Sequence, residues 1–249
     1  MSPKRGAARV GTSGWIYRSW RGPFYPQPLP QRLWLHHYAG VFDTAEINAT
    51  FYRLPTQAAA ARWRETTPGD FLFAWKASRF ITHMKRLRDA ETSLARVFAP
   101  MEALGAKLGP ALFQLPPQMS LDLPRLEAFL ALLPAGRRHV LEFRHPSWYA
   151  DAVLAALARA NVALCVSDHH HAPAPWAATA DFAYVRGHGP GGHYSGSYAN
   201  PELDRWAAHI CAWRAEGRDV FAYFDNDIDC AAPGDAARLK GLLDPRAQP

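Results

Sequence analysis

The sequence predicts one eight-stranded parallel α/β barrel of the (β/α)8 TIM type. Three observations carry that expectation. Short apolar, β-type runs alternate with helix-type stretches along the whole chain, which calls for a parallel sheet with right-handed crossovers. Eight such runs are present, the number that closes a barrel, and the 249 residues, 49% of them hydrophobic, match the roughly 250 such a barrel occupies as one domain. An open doubly wound sheet would carry a G-x-G-x-x-G first turn; the first turn here, GTSGW over 11–15, lacks that spacing.

The expected strands are Arg9–Ser13, Thr44–Ala49, Phe71–Ser78, Pro110–Leu115, His139–Arg144, Ala163–Asp168, Phe182–His188 and Val220–Asn226. Most are continuous apolar runs, as parallel strands buried on both faces require. Helical spacing of apolar residues marks Gln31–Val41, Thr56–Glu65, Ser93–Lys107, Pro124–Leu133, Ala150–Ala160, Pro201–Glu216 and Asp235–Leu243. Asn161 and Gly217 stand where two of these should stop, and Pro201 suits a first turn. HHHAPAPWAATAD, after the sixth strand, is too short and proline-rich for a full helix, so the helix between strands six and seven is expected to be short or missing. The domain reading is a disordered tail at 1–8, one barrel over 9–243 and a C-terminal tail at 244–249.

No apolar run reaches the roughly 18–20 residues a membrane span needs, and the basic N-terminus has no apolar h-region. Cys165, Cys211 and Cys230 are widely spaced without a C-x-x-C pair. They read as reduced thiols, and the expected location is the cytoplasm. The formal net charge of +6 favours anionic partners, either a small phosphorylated ligand or a nucleic-acid backbone.

In barrels of this kind functional side chains sit at the C-terminal strand ends. There the sequence places Glu46 and Asn48, two apart and so on one face, then Lys76, Ser78 and Arg79, Gln114, Glu142 and Arg144, Asp168, Arg186 and His188, and Asn226 and Asp227. A charge inside an apolar strand costs free energy unless paired, so a set gathered at one end predicts a mixed-charge pocket. Glu46, Lys76, Glu142 and Asp168 are the catalytic candidates. Asn48, Tyr52, Ser78, Gln114, Arg144, Arg186, His188 and Asn226 are the binding candidates. The carboxylates could serve as acid and base or orient Lys76 and Arg144; Lys76 could form an imine if its surroundings lowered its pKa.

Three stretches add to the picture. The glycines Gly187, Gly189, Gly191, Gly192 and Gly196 after strand seven could let backbone N–H groups approach a phosphate. KASRFITHMKRLR (76–88) is basic enough for nucleic-acid backbone contact. The aromatic, proline-rich stretch 15–34 could form an exposed apolar patch for a partner. No cofactor is predicted. Consecutive His169, His170 and His171 are not expected to converge on one ion, and any divalent metal is expected at Glu142, Asp168, His188 and Glu46 instead. G-x-S-x-G and P-loop motifs are missing.

GTSGW (11–15), EINATFYRLP (46–55), KASRFITH (76–83), LFQLPP (112–117), EFRHPSW (142–148) and YFDND (223–227) together resemble the YecE-like family, domain of unknown function 72, over residues 9–243. The resemblance implies an α/β barrel and carries over Glu46, Asn48, Tyr52, Lys76, Ser78, Gln114, Glu142, Arg144, Asp168, Arg186 and Asn226 as motif positions. Asp225 departs from the asparagine this family often has. The functional expectation is an anion-binding barrel; as an enzyme it would be a hydrolase of phosphodiesters or phosphate esters. The alternatives are a carbohydrate hydrolase using Glu46 and Glu142, or a non-catalytic partner-binding barrel.

Overall fold

The computed structural model describes residues 4–243. Its strands are β1 (Ala8–Thr12), β2 (Thr44–Ile47), β3 (Leu72–Lys76), β4 (Leu108–Gln114), β5 (His139–Glu142), β6 (Ala163–Ser167), β7 (Phe182–Gly187) and β8 (Asp219–Phe224). They form one parallel sheet in the order β1-β8-β7-β6-β5-β4-β3-β2. Ser13 pairs with Glu46 in parallel, and the Gly14 N–H donates to the Glu46 carbonyl at 2.7 Å, which brings the barrel near closure. The seam is tight. A Cβ on Gly11 would stand 2.3 Å from the Thr44 carbonyl oxygen, so only glycine lets the two backbones meet there.

The pleat decides what faces the barrel axis, because successive side chains alternate between faces. Ala74, Leu112, Val140, Cys165, Phe182, Tyr184, Phe221 and Tyr223 form the inner core. The residues between them, such as Phe73, Trp75, Phe113, Leu141, Val185 and Phe224, belong to the outer core shared with the helices. Arg138 closes the N-terminal end, its guanidinium 5.2 Å from the Phe182 ring centre and 2.7 Å from Asp219 Oδ2. Continued toward the other end, the same period turns Glu46, Lys76, Glu142, Arg186 and Asp225 inward.

The helices are α1 (Trp34–Ala39), α2 (Gln57–Thr66), α3 (Glu91–Phe98), α4 (Leu123–Leu130), α5 (Asp151–Arg159), α6 (Asn200–Ala215) and α7 (Ala231–Leu243). Thr56 caps α2 by accepting from the Ala59 N–H at 3.1 Å, and Asp122 caps α4 through the Arg125 N–H at 3.1 Å. Asn161 (φ 51°) and Gly217 (φ 87°) adopt the left-handed conformation just past α5 and α6, the stops their sequence positions imply. The expected helix Ser93–Lys107 is instead two pieces. α3 ends at Phe98, and a 3-10 stretch runs over Met101–Lys107, because Pro100 lacks a donor and Gly105 leaves the helical region at φ 58°.

No helix lies between β6 and β7. The connecting chain covers the outer face with Trp176, whose ring stacks 4.4 Å from His209 and 5.7 Å from Trp213 of α6. Ala8 belongs to β1, and the Gly6 N–H already bonds the Arg214 carbonyl at 2.9 Å, so ordered structure begins inside the stretch read as a tail. Residues 1–3 and the tail at 244–249 lie outside the described residues. None of the described helices is long and apolar enough to cross a membrane, and the three cysteines are free.

Candidate functional site

Arg186, fully buried on β7, is the hub of the C-terminal strand ends. Its Nη1 donates to Glu142 Oε2 at 2.9 Å; its Nη2 reaches Ser13 Oγ (2.9 Å), Glu46 Oε1 (2.9 Å) and Asp225 Oδ2 (2.8 Å). Glu46 also accepts from the Ser13 hydroxyl and, at 2.6 Å, from Tyr184 Oη. Glu142 also binds Arg144. Both glutamates have no exposed surface. Burial works against ionisation of Glu142, yet Arg144, Arg186 and Lys76 hold its pKa down to about 2. A carboxylate so placed has no proton to give near neutrality. The hydrogen bonds alone make Glu46 and Glu142 arginine anchors, and the glycosidase pair that their positions suggested has no free oxygen to work with.

His188 sits beside this cluster. Nη2 of Arg144 and Nη1 of Arg186 each lie 3.1 Å from its Nε2, while its Nδ1 lies 3.1 Å from Asp168 Oδ1. Guanidinium nitrogens can only donate, so Nε2 is the acceptor and Nδ1 carries the proton toward Asp168. Burial and then the two arginines keep the imidazole pKa well below its ordinary value. Asp168 also accepts from Tyr198 Oη and from the His188 backbone N–H at 2.7 Å; burial nevertheless pushes its pKa up to about 6. Its job in this geometry is to fix the His188 tautomer.

Lys76 differs from both arginines. It is 8% exposed. Its Nζ lies 4.3 Å from the centre of the Phe51 ring, and among the described residues it has no hydrogen-bond acceptor. Burial first, then Arg186, lowers its pKa to about 8. It lines a cavity of about 460 Å³ together with Trp15, Tyr17, Asn48, Tyr52, Trp63, Tyr194, Asp225 and Asp227. Trp15 and Trp63 meet edge to face at 5.7 Å. Asn48 Oδ1 is buried without a partner. Burial raises Asp225 to about 6 against the pull of Arg186, with Glu46 adding to the rise. Tyr194 ties the wall to the cluster through Arg144 Nη1 at 3.2 Å.

The strand-end reading thus brings Glu46, Asn48, Lys76, Glu142, Arg144, Asp168, Arg186 and His188 together. Of the other candidates, Tyr52 lines the Lys76 cavity, and three spend their polar groups on other partners. Gln114 turns its Nε2 to the Leu115 carbonyl at 2.7 Å. Asn226 faces α7, with Nδ2 2.7 Å from Asp235 Oδ2. Ser78 accepts from the Phe80 N–H at 3.3 Å and lines a separate groove with Phe80, Lys85 and Arg96. Tyr52, 74% exposed, stands on the rim between groove and cavity. Arg79 is exposed and lines neither.

Other expectations change as well. In the glycine-rich loop three N–H groups that could have met an anion are spent internally: Gly189 on Tyr198 Oη (2.8 Å), Gly192 on the Gly189 carbonyl (2.7 Å) and Tyr194 on the His188 carbonyl (2.5 Å). The aromatics Trp20, Tyr25 and Trp34 of the 15–34 stretch are buried, Tyr25 stacked on Trp34 at 4.5 Å, rather than forming an apolar patch. His169, His170 and His171 do bring their ring nitrogens within 4.8 Å of one another, against the expectation for consecutive residues, because a turn closed by the Ala172 N–H on the His169 carbonyl (3.1 Å) folds them to one side. Ser13, Tyr184 and Asp225 were missed as partners of the charges. Alternation along β1, β7 and β8 would have found all three, whereas Tyr194 comes from a loop that carries no periodic signal.

Residues 9–249 match the family described as protein of unknown function DUF72. The chain belongs to that family. It is 35% identical over 117 residues to UPF0759 protein YecE of Escherichia coli (strain K12), a stretch spanning 47% of this chain and 43% of YecE, so less than half of that relative's length is matched. UPF0759 protein YunF of Bacillus subtilis (strain 168) is 24% identical over 269 residues, covering 94% of both chains. A DUF72 family protein from Thermotoga maritima superposes with a TM-score of 0.87 at 25% identity, over 95% of this chain and 99% of that one. One from Enterococcus faecalis shares the fold with a TM-score of 0.82 at 18% identity, over 95% of each chain. This DUF72 barrel carries a buried charged cluster at its strand ends, with a cavity on one side of it.

Proposed function

We propose that this DUF72 protein binds a small ligand that joins one anionic group to a planar or apolar frame bearing hydrogen-bond donors, as nucleotides and aromatic phosphate esters do. The observation that carries the reading is Lys76. Around it Arg144 and Arg186 are neutralised by Glu46, Glu142 and Asp225, and among the described residues its ammonium alone is left facing the cavity without a protein acceptor. An anion on Lys76 would gain a charge-assisted hydrogen bond in a site screened from water. The rings of Trp15, Tyr17, Tyr52 and Trp63 offer stacking surface. Asn48 Oδ1 and Asp227 are acceptors, suited to hydroxyl or amino groups of the same ligand.

A second reading rests on the same amine. With a pKa of about 8, a share of Lys76 is neutral just above pH 7. The amine could then attack a ligand carbonyl carbon and lose water to form an imine. Glu46 and Glu142 give the phosphate-ester hydrolase expectation no support, since neither reaches the cavity.

The test is titration of the full chain with nucleoside monophosphates, sugar phosphates and short oligonucleotides at low ionic strength, on wild type and Lys76→Met. Saturable binding that weakens with salt and disappears in Lys76→Met supports the reading. No binding of any of these probes, or equal binding by the variant, removes it. Borohydride added with carbonyl compounds would leave a mass increase on Lys76 if the second reading holds and none otherwise.

A further inference from the structure

Beyond the Lys76 cavity, we infer that the loops following β6 and β7 form a site for a divalent transition-metal ion, with His169, His170 and His171 as ligands and His193 as a fourth imidazole. Four of the chain's 11 histidines gather there, and the loop backbones are shaped to hold them. The rings of His170 and His171 lie 4.1 Å apart, those of His169 and His170 4.3 Å. His193 stacks on His170 at 4.0 Å from the neighbouring loop. The two loops touch at Gly192 (φ 70°), where a Cβ would stand 2.5 Å from the His170 nitrogen and 2.6 Å from the Asp168 carbonyl oxygen. Glycine at that position lets His193 come so near.

At least one of the imidazoles already has a partner for its far ring nitrogen. His170 Nδ1 lies 3.0 Å from the Gly192 carbonyl oxygen. Donation to that carbonyl fixes the tautomer and leaves Nε2 with a free lone pair, the arrangement metal-binding histidines use. His169 Nδ1 faces the His171 N–H at 3.3 Å; ligation through its Nε2 moves the ring proton to Nδ1 and gives up that long contact. In a tetrahedral zinc site with bonds of about 2.1 Å, the ligand nitrogens stand roughly 3.4 Å apart. The ligand atoms of the triplet lie within 4.8 Å of one another. Rotation of His170, His171 and His193, all exposed, covers the difference. An all-imidazole donor set selects zinc, nickel or copper over magnesium or calcium, which take oxygen ligands. The site is separate from the arginine cluster, though the His169 ring packs 5.2 Å from His188 and 5.6 Å from Tyr194.

Calorimetric titration of the untagged full chain with zinc and with nickel tests this. One equivalent should bind in the micromolar range or tighter, with magnesium showing no comparable heat. A His170→Ala, His171→Ala, His193→Ala triple variant should lose affinity by about 100-fold or more while its metal-free thermal midpoint stays that of wild type. Absence of saturable zinc and nickel binding, or wild-type affinity in the variant, overturns the site. Should the triple variant not fold, the wild-type chain still decides. Zinc should protect the 169–171 peptide from carbethoxylation by diethyl pyrocarbonate, read by mass spectrometry, and unchanged labelling would refute ligation.

Discussion

The two sides of the strand-end cluster are built from similar charges and put to opposite uses. On one side Arg186 holds Glu46, Glu142, Asp225, Ser13 and His188, all of them buried. On the other, Lys76 is nearly as buried yet keeps only the face of Phe51. A buried charge is tolerated when its desolvation is repaid by partners. Arg186 meets that condition and Lys76 does not, which is why burial depresses the lysine's pKa whereas Arg186 stays firmly charged. A paired charge holds the barrel top together; an unpaired one beside a cavity has its binding capacity in reserve for a ligand.

The sharpest way to break this contrast is Arg186→Met. It strands Glu46 and Asp225 without a cation in the barrel, leaves Glu142 with Arg144 alone, and should cost about 3–5 kcal/mol, measured by urea unfolding. A loss below about 1 kcal/mol would mean that the cluster is not structural. Acid unfolding comes next. Glu142 has a folded pKa of about 2, below its ordinary 4.5. Its stabilisation is complete above pH 4.5 and is lost as pH falls from about 4.5 to about 2. Asp225 works the other way. Its folded pKa of about 6 lies above the ordinary 3.8, so it costs stability above pH 6, and protonation between pH 6 and 4 relieves the cost. Asp168, whose folded pKa is also about 6, adds to the same rise, so Asp225→Asn should reduce the rise of stability on mild acidification while leaving the steeper loss below; unfolding curves from pH 7 to pH 2 that stay unchanged in the variant would contradict the assignment.

The smallest effect is expected at Lys76. Its folded pKa of about 8 lies below the ordinary 10.5, so the charged form is disfavoured in the folded state. Stability should rise as pH increases from about 8 to 10.5 in wild type. Lys76→Met should abolish that rise. At neutral pH it should leave stability within about 0.5 kcal/mol of wild type or raise it. A loss of several kcal/mol, read in the same urea experiment, would make Lys76 a structural charge like Arg186 and end the distinction between the two sides.

Much of this arrangement is legible along the chain because the pleat is a local property. Glu46 and Asn48, Glu142 and Arg144, and Arg186 and His188 are each two apart, so each pair shares the inward face once its strand is recognised. The stops at Asn161 and Gly217 and the missing helix after β6 are equally local, set by backbone preference within a few residues. The fold, the end of the barrel that carries the charges, and most members of the cluster follow from such rules. Pairing does not. The partners of Arg186 lie in or just past β1, β2, β5 and β8, up to 173 residues away, and which of them it meets depends on barrel register and closure at the Ser13–Glu46 seam. The same closure spent Glu46 and Glu142 on arginines and left Lys76 facing the cavity. Strand alternation fixes the direction of a side chain, but only the closed barrel fixes its distance to another, and charge neutralisation, pKa and ligand access all depend on that distance.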